Sequence, residues 1–349
     1  MAIFERNDFM SEPLHTVRLV PSGDTFTVEP GETILAAALR SGHPLPYSCR
    51  NGSCGACKGR VLDGTIDFGT YEEKALSPAE RAAGKALFCQ AVPLSDVTIE
   101  AREVAAAKDI VIKTLPARVI KMERVAHDVM ILSLKLPQTE TFKFLAGQYI
   151  DILLRDGQRR SFSLANPPQH TESLQLHVRH VPGGSFTTHV FEAMKEKDLL
   201  RLRGPLGMFF LRESARPAIL IAGGTGFAPM KSIVEDAIAR GGQRPLHLYW
   251  GARARADLYL HDLAAAWAEA HASLRYTPVL SEPHATDAWA GRTGWVHEAV
   301  LTDYPTLDDY EVYASGPPPM IDAIRRTFFA RGLSDDRLYY DSFEFAHST

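Results

Sequence analysis

Three of the chain's four cysteines crowd one short stretch. Cys49, Cys54 and Cys57 stand in Y-S-C-R-N-G-S-C-G-A-C with a C-x4-C-x2-C spacing, and Cys89 follows well beyond them. Thiolates are soft metal ligands, and three from one loop with a fourth from a distance is the pattern of plant-type [2Fe-2S] centres. Two irons bridged by two sulfides need four converging thiolates, and no cysteine is left over. Gly52 and Gly55 let the loop fold tightly enough for backbone N–H groups to face the sulfurs. Zinc is the competing use of four cysteines, but its ligands usually come as two short C-x2-C knuckles rather than three in one loop. Disulfides fit less well, because nothing marks the chain as secreted.

A second stretch that can do chemistry is Gly223-Gly224-Thr225-Gly226-Phe227-Ala228-Pro229, between the apolar run Ala218 to Ala222 and a helix-forming segment. A glycine turn there lets a pyrophosphate approach a helix N-terminus, where free N–H groups and the helix dipole favour anions. The pattern departs from G-x-G-x-x-G: Pro229 occupies the place of the third glycine and reads as a first helical residue. The acid expected about 20 residues further on is also missing, since Leu246 to Trp250 is followed by Gly251-Ala252-Arg253. A dinucleotide site follows, but not of the ordinary dehydrogenase kind. Arg160-Ser161-Phe162-Ser163-Leu164, taken alone, is simply a strand with Phe162 and Leu164 on one face.

These groups need elements to position them, and 349 residues suffice for about two or three domains. A hydrophobic content of 45%, a charged content of 23% and a net charge of -4 describe an ordinary globular chain and give no support for nucleic-acid binding. Met1 to Pro13 reads as a short tail without a basic or apolar leader region, and no apolar run approaches membrane-spanning length, so a cytoplasmic protein with reduced thiols is expected. His15 to Val20 and Thr25 to Val28 flank a Pro-Ser-Gly-Asp turn as a hairpin. Glu32 to Arg40 has helical spacing, Lys58 to Leu62 reads as a strand, Ser77-Pro78-Ala79-Glu80 as a capped helix start, and Val97 to Ala101 as a last strand. Residues 14–103 therefore form a small β-rich domain and 104–114 a linker. In residues 115–213, Ala117 to Lys121, Met130 to Leu136, Tyr149 to Leu154, Ser161 to Leu164 and Leu174 to His180 suggest an antiparallel barrel. Residues 214–349 alternate strands and helices: Ala218 to Ala222, Pro229 to Arg240, Leu246 to Trp250, His261 to Ala270, Leu274 to Leu280, Trp295 to Leu301, Tyr310 to Ala314 and Met320 to Ala330. That alternation predicts a doubly wound α/β domain.

R-x-F-S at Arg160, then Gly184-Ser185-Phe186-Thr187, G-T-G-x-A-P at Gly224, and Ser315-Gly316-Pro317-Pro318-Pro319-Met320 together resemble the ferredoxin–NADP reductase superfamily in order and spacing. With the cysteine loop in front, a plant-type ferredoxin domain of β-grasp fold, most of the chain is similar to one-piece reductases that serve bacterial hydroxylases and a deoxysugar dehydrase. The resemblance implies that Arg160 pairs with the pyrophosphate of FAD, Phe162 packs beside the isoalloxazine and Ser163 lies near its N5. Phe162 stands where many members have tyrosine. His177 and Arg179 would lie near the flavin, and Gly184 and Thr187 near its phosphates. Gly224, Thr225, Gly226, Pro229, Gly316, Pro317 and Met320 would serve the nicotinamide nucleotide. Phe343 would cover the nicotinamide face of the flavin, and Ser315 replaces the cysteine that many members place at the transfer point. Asp341 and Glu344 are candidate proton partners, although solvated carboxylates are the plainer reading. The cofactors implied are [2Fe-2S], FAD and NADH. NADPH stays open, because Arg253 and Arg255 could meet a 2'-phosphate. The implied acceptor is a separate protein, an oxygenase or dehydrase component, with no nucleic acid or membrane partner. A stand-alone ferredoxin-like carrier, or a free-flavin or ferric reductase, would leave one half of the chain without work.

Overall fold

The computed structural model describes residues 13–170 and 172–343. Glu344 and residues 1–12 of the expected tail lie outside the described residues. The chain divides into two compact units, Met1–Lys108 and Asp109–Thr349.

The first unit is built on β1 (His15–Val20) and β2 (Thr25–Val28), an antiparallel hairpin in which Leu19 N–H donates to Asp24 O at 2.8 Å. Helix α1 (Ile34–Arg40) is capped by Thr33 Oγ1 and buries Ile34, Leu35, Ala37 and Ala38. It begins later than the periodicity from Glu32 predicts, because the Glu32 carboxylate closes a turn on Glu29 N–H and pairs with Arg40 at 2.7 Å. After the cysteine loop come β3 (Lys58–Asp63), β4 (Ile66–Asp67), α2 (Pro78–Ala82), β5 (Lys85–Leu87), β6 (Val92–Pro93) and β7 (Val97–Glu100). The main sheet runs β2-β1-β7-β3-β5, with β1 and β7 parallel, and α1 supplies the buried helix of a β-grasp. Ser77 and Glu80 form the reciprocal cap expected at α2. The stretch beginning at Val104 is a 3-10 turn, Ala105–Ala107, whose Val104 N–H donates to Pro44 O at 2.8 Å.

The second unit holds two sheets. β8 (Lys113–Arg124), β9 (Val129–Lys135), β10 (Tyr149–Leu153), β11 (Arg159–Ser163), β12 (Leu174–Arg179) and β13 (Leu199–Leu206) form an antiparallel sheet ordered β11-β10-β13-β8-β9-β12. A bridge between Leu164 and Leu176 joins its two edges, which closes the barrel. β13 and a helix, α3 (Ser185–Glu192), were not marked by the sequence pattern. Gly184 and Thr187 therefore open a helix, whose Phe186 and Val190 enter the barrel core.

Then follow β14 (Ala218–Gly223), α4 (Phe227–Ala239), β15 (Leu246–Ala252), α5 (His261–Ala270), β16 (Leu274–Leu280), β17 (Arg292–Thr293), α6 (Val296–Asp303), β18 (Glu311–Gly316), α7 (Pro318–Phe329) and β19 (Leu338–Ser342). These strands form a wholly parallel sheet ordered β17-β16-β15-β14-β18-β19. Order reverses between β14 and β18, and ligands of such sheets sit outside the carboxyl ends of the strands at that point. Pro229 is the third residue of α4 rather than its first, because the turn Gly224–Gly226 runs straight into the helix. Among the described residues no helix is long and apolar enough to cross a membrane.

Candidate functional site

In the first unit Cys54, Cys57 and Cys89 are buried and Cys49 is partly exposed. The thiols associate two and two, Cys49 with Cys54 and Cys57 with Cys89. In each pair one sulfur is hydrogen-bonded by its neighbour and held low, Cys49 to about 5 and Cys89 downward, while the same bond, followed by burial, pushes Cys54 and Cys57 up. Four thiolates around one zinc would stand about 3.8 Å apart in a single tetrahedron. Among the described residues no three cysteine sulfurs lie within 4.8 Å of one another. Two pairs fit two irons better than one zinc. Ala56 N–H points to Cys54 Sγ at 3.5 Å, a contact that favours a negative cluster.

In the second unit the R-x-F-S strand is β11. Arg160 and Phe162 lie on one face of it, paired across the ladder with Ile152 and Ile150. The Arg160 guanidinium turns back on Gln158 Oε1 at 2.6 Å and Arg159 O at 2.9 Å. Phe162 packs against Phe186 of α3, with ring centroids 5.5 Å apart. Ser163 is buried on the opposite face, and its hydroxyl donates to Asp341 Oδ2 at 3.4 Å. That carboxylate is only 6% exposed, so Asp341 is not the solvated acid its sequence neighbourhood implies. On β12, alternation turns Leu176 and Val178 into the barrel core and sends His177 and Arg179 the other way. His177 Nδ1 meets Tyr259 OH at 2.9 Å, and burial, with Lys231 beyond it, pushes its pKa down to about 3. Its Nε2 is buried without a hydrogen-bond partner. Arg179 pairs with Asp128 at 2.6 Å, and a Cβ placed on Gly224 would meet its guanidinium at 2.8 Å. Thr187 Oγ1 is engaged by Val181 N–H at 3.1 Å and its own turn, next to the α3 N-terminus, which has no side-chain cap.

The nucleotide turn is close-packed. A Cβ on Gly226 would fall 2.0 Å from Ser315 O, and one on Gly223 would fall 2.6 Å from Met320 Sδ. Gly224 takes φ +54, and its carbonyl accepts from Trp250 Nε1 at 2.9 Å. Gly316 accepts the Phe343 N–H at 2.9 Å, so β19 carries Phe343 back to the switch point between β14 and β18. Ser315 is fully buried with its Oγ unpartnered. Neither α4 nor α7 has a side-chain cap at its N-terminus, but Pro318 and Pro319 carry no N–H, Met320 N–H donates to Pro317 O at 3.0 Å and Phe227 N–H donates to Gly224 O, so neither helix start presents a row of free donors. The uncapped start of α3, the Arg160 guanidinium without a carboxylate partner among the described residues, and orphaned polar atoms at His177 and Ser315 fit bound dinucleotides.

The structure thus gathers Ser163, Asp341, Phe343, Gly316, Ser315 and Gly226 into one chain of contacts, with Arg179 reaching Gly224 beside them. Arg253 is exposed, and Arg255 lies 3.8 Å from Asp262. Sequence reasoning missed Asp128 and Tyr259, the partners of Arg179 and His177, because each contact spans a long loop in sequence and carries no motif.

Three family models match in succession: a 2Fe-2S iron-sulfur cluster binding domain over residues 17–94, an oxidoreductase FAD-binding domain over 116–211 and an oxidoreductase NAD-binding domain over 220–326. The CDP-6-deoxy-L-threo-D-glycero-4-hexulose-3-dehydrase reductase of Yersinia pseudotuberculosis is 42% identical over 94% of this chain and 98% of its own length. The reductase component DmpP of phenol 2-monooxygenase from a Pseudomonas strain is 37% identical over 94% of each. Among solved structures, the cytochrome P450 reductase GcoB of Amycolatopsis superposes with a TM-score of 0.78 at 37% identity, covering 94% of this chain and 98% of that one. Similarity of this extent spans all three parts at once, and the chain belongs to the ferredoxin–NADP reductase superfamily, among the one-piece reductases that carry electrons from NAD(P)H through FAD and a [2Fe-2S] cluster to a protein acceptor.

Proposed function

We propose that the acceptor is an oxygenase or dehydrase component in the cytoplasm, that NADH is the donor, and that the residues described above divide the work. The observation that carries this reading is the meeting of Ser163, Asp341, Phe343, Gly316 and Gly226, far apart in sequence, at one switch point. Cys49, Cys54, Cys57 and Cys89 would hold the cluster. Arg160, Phe162, Ser163, His177, Arg179, Gly184 and Thr187 would hold FAD, and Gly224, Thr225, Gly226, Pro229, Gly316, Pro317 and Met320 the nicotinamide nucleotide. When bound, nicotinamide supplies electrons in pairs, and a flavin can accept them together and release them singly to a cluster that holds one.

The protein's own part is placement. Arg160 and the α3 N-terminus supply positive charge and N–H donors to phosphate oxygens. Asp341, itself buried, fixes the Ser163 hydroxyl, which can give its proton to another acceptor at the same place. Phe343 and the packed glycine turn exclude water, and Ser315 offers a small hydroxyl with no competing partner. A dehydrase partner is supported by the Yersinia relative, and an oxygenase partner by the Pseudomonas one.

Anaerobic stopped-flow mixing with NADH tests the order. Flavin absorbance should bleach first and the cluster signal follow, and adding a purified oxygenase or dehydrase component from the same cells should reoxidise the cluster. A Cys89→Ser protein that still reduced that component at the wild-type rate would remove the cluster from the path.

A further inference from the structure

Cys89 is followed at once by Gln90, the only glutamine in residues 1–108. Its side-chain Nε2 lies 3.0 Å from Cys89 O, 3.4 Å from Arg50 O and 3.8 Å from Cys89 Sγ. A primary amide has two N–H donors, so these acceptors occupy them in a shared arrangement. Room for the side chain is built into the fold. A Cβ on Gly52 would stand 2.7 Å from Thr70 O and 3.1 Å from Gln90 Cγ, and one on Gly69 would stand 2.6 Å from Gln90 O and 3.2 Å from Gln90 Cβ, with both glycines at positive φ, so backbone and the Gln90 stem together require glycine there. Arg50, whose carbonyl the amide holds, is itself at φ 61, an uncommon conformation for a residue with a side chain. Cys89 is 6% exposed, so water competes little for its sulfur.

We propose that Gln90 is a positioning residue with two linked tasks: it braces the left-handed turn at Arg50 within the ligand loop, and it donates an N–H to the sulfur of Cys89 to set the potential of the cluster. This rests on the reading that the four cysteines hold a [2Fe-2S] cluster. Reduction adds one negative charge to that cluster, and a hydrogen-bond donor at a ligating sulfur stabilises the more negative state more. Gln90 therefore raises the reduction potential of the cluster, and the electron leaving for the partner is held more tightly than it would be without that donor.

The test uses the full chain purified without oxygen, with iron and sulfide assayed first and the cluster then titrated with EPR detection. Gln90→Leu should shift the reduction equilibrium about tenfold towards the oxidised form, which is about 59 mV for a one-electron couple. Gln90→Glu, which replaces the donor by a carboxylate, should shift it further in the same direction. A replete Gln90→Leu protein whose equilibrium stays within about twofold of wild type, under 20 mV, overturns the proposal. Wild-type protein labelled with 15N at the glutamine side-chain amide decides the matter where that variant loses iron. Pulsed EPR of its reduced cluster should detect coupling to the labelled nitrogen, and absence of coupling overturns the proposal. Wild-type protein without iron and sulfide would overturn the cluster reading and this proposal with it, whereas a replete protein with an unmoved potential overturns the proposal alone.

Discussion

His177 and His247 stay neutral when folded, pushed down to about 3 and about 4 chiefly by burial, against 6.5 when free. The unfolded chain takes up protons that the folded chain refuses, so their contribution to stability is intact above pH 6.5 and is lost as pH falls towards the folded values. Each can cost up to about 1.4 kcal/mol per pH unit in that window, with His247 well below this limit because it keeps some contact with solvent. Urea unfolding of the full chain should show its midpoint falling from pH 6.5 to pH 5, and falling less steeply in His177→Gln. Phe343→Ala should weaken NADH binding and alter the rate of flavin reduction while iron content stays at the wild-type value. Unaltered stopped-flow traces would reduce Phe343 to a packing residue. The cysteine spacing was legible because C-x4-C-x2-C is local and each cysteine is its own signal. Asp341 was not. It meets the Ser163 hydroxyl, 178 residues away, and no pattern around Leu338 to Ser342 announces that partner.

At the scale of elements, α4 is fastened to the segment that follows R-x-F-S. Ser232 Oγ donates to Asn166 O at 2.7 Å and Lys231 Nζ to Ala165 O at 3.1 Å, both in buried surroundings. The helix behind the nucleotide turn is thereby tied to the chain that leaves β11. Ser232→Ala should cost about 1 to 3 kcal/mol, since a buried carbonyl is left without that partner. Thermal unfolding would read the loss, and an unchanged transition would mean that Asn166 O finds another donor. Hairpin β1–β2, the cap of α2 and the alternation from β14 to α7 could be read from sequence because local chemistry and fold agree there. Helix α3 could not. Phe186, Thr187, Thr188, Val190 and Phe191 favour strands, and what makes the segment helical is the burial of Phe186 and Val190 in the barrel.

For the whole molecule, two compact units imply separable failures. A fragment starting near Ile110 should fold, bind FAD and reduce ferricyanide with NADH, while its reduction of cytochrome c falls steeply. Cys89→Ser in the full chain should behave similarly, as no spare cysteine can replace the missing thiolate. Equal rates of cytochrome c reduction by fragment and full chain would place the exit at the flavin instead. Purified full-length protein should be brown, with flavin and iron near one to two, which metal analysis alongside flavin absorbance will check. Stoichiometric zinc without sulfide would overturn the cluster assignment.

Gly226 lies against Ser315 so closely that a methyl group would leave its carbon 2.0 Å from a carbonyl oxygen. Flexible side chains can step aside, but here the obstacle is backbone. The turn after β14 and the end of β18 therefore behave as one casting rather than two adjustable jaws. Anyone seeking to change the nucleotide preference of this enzyme should leave both edges of that casting alone and randomise the ground around Arg253 and Arg255, where side chains can be exchanged without moving the sheet.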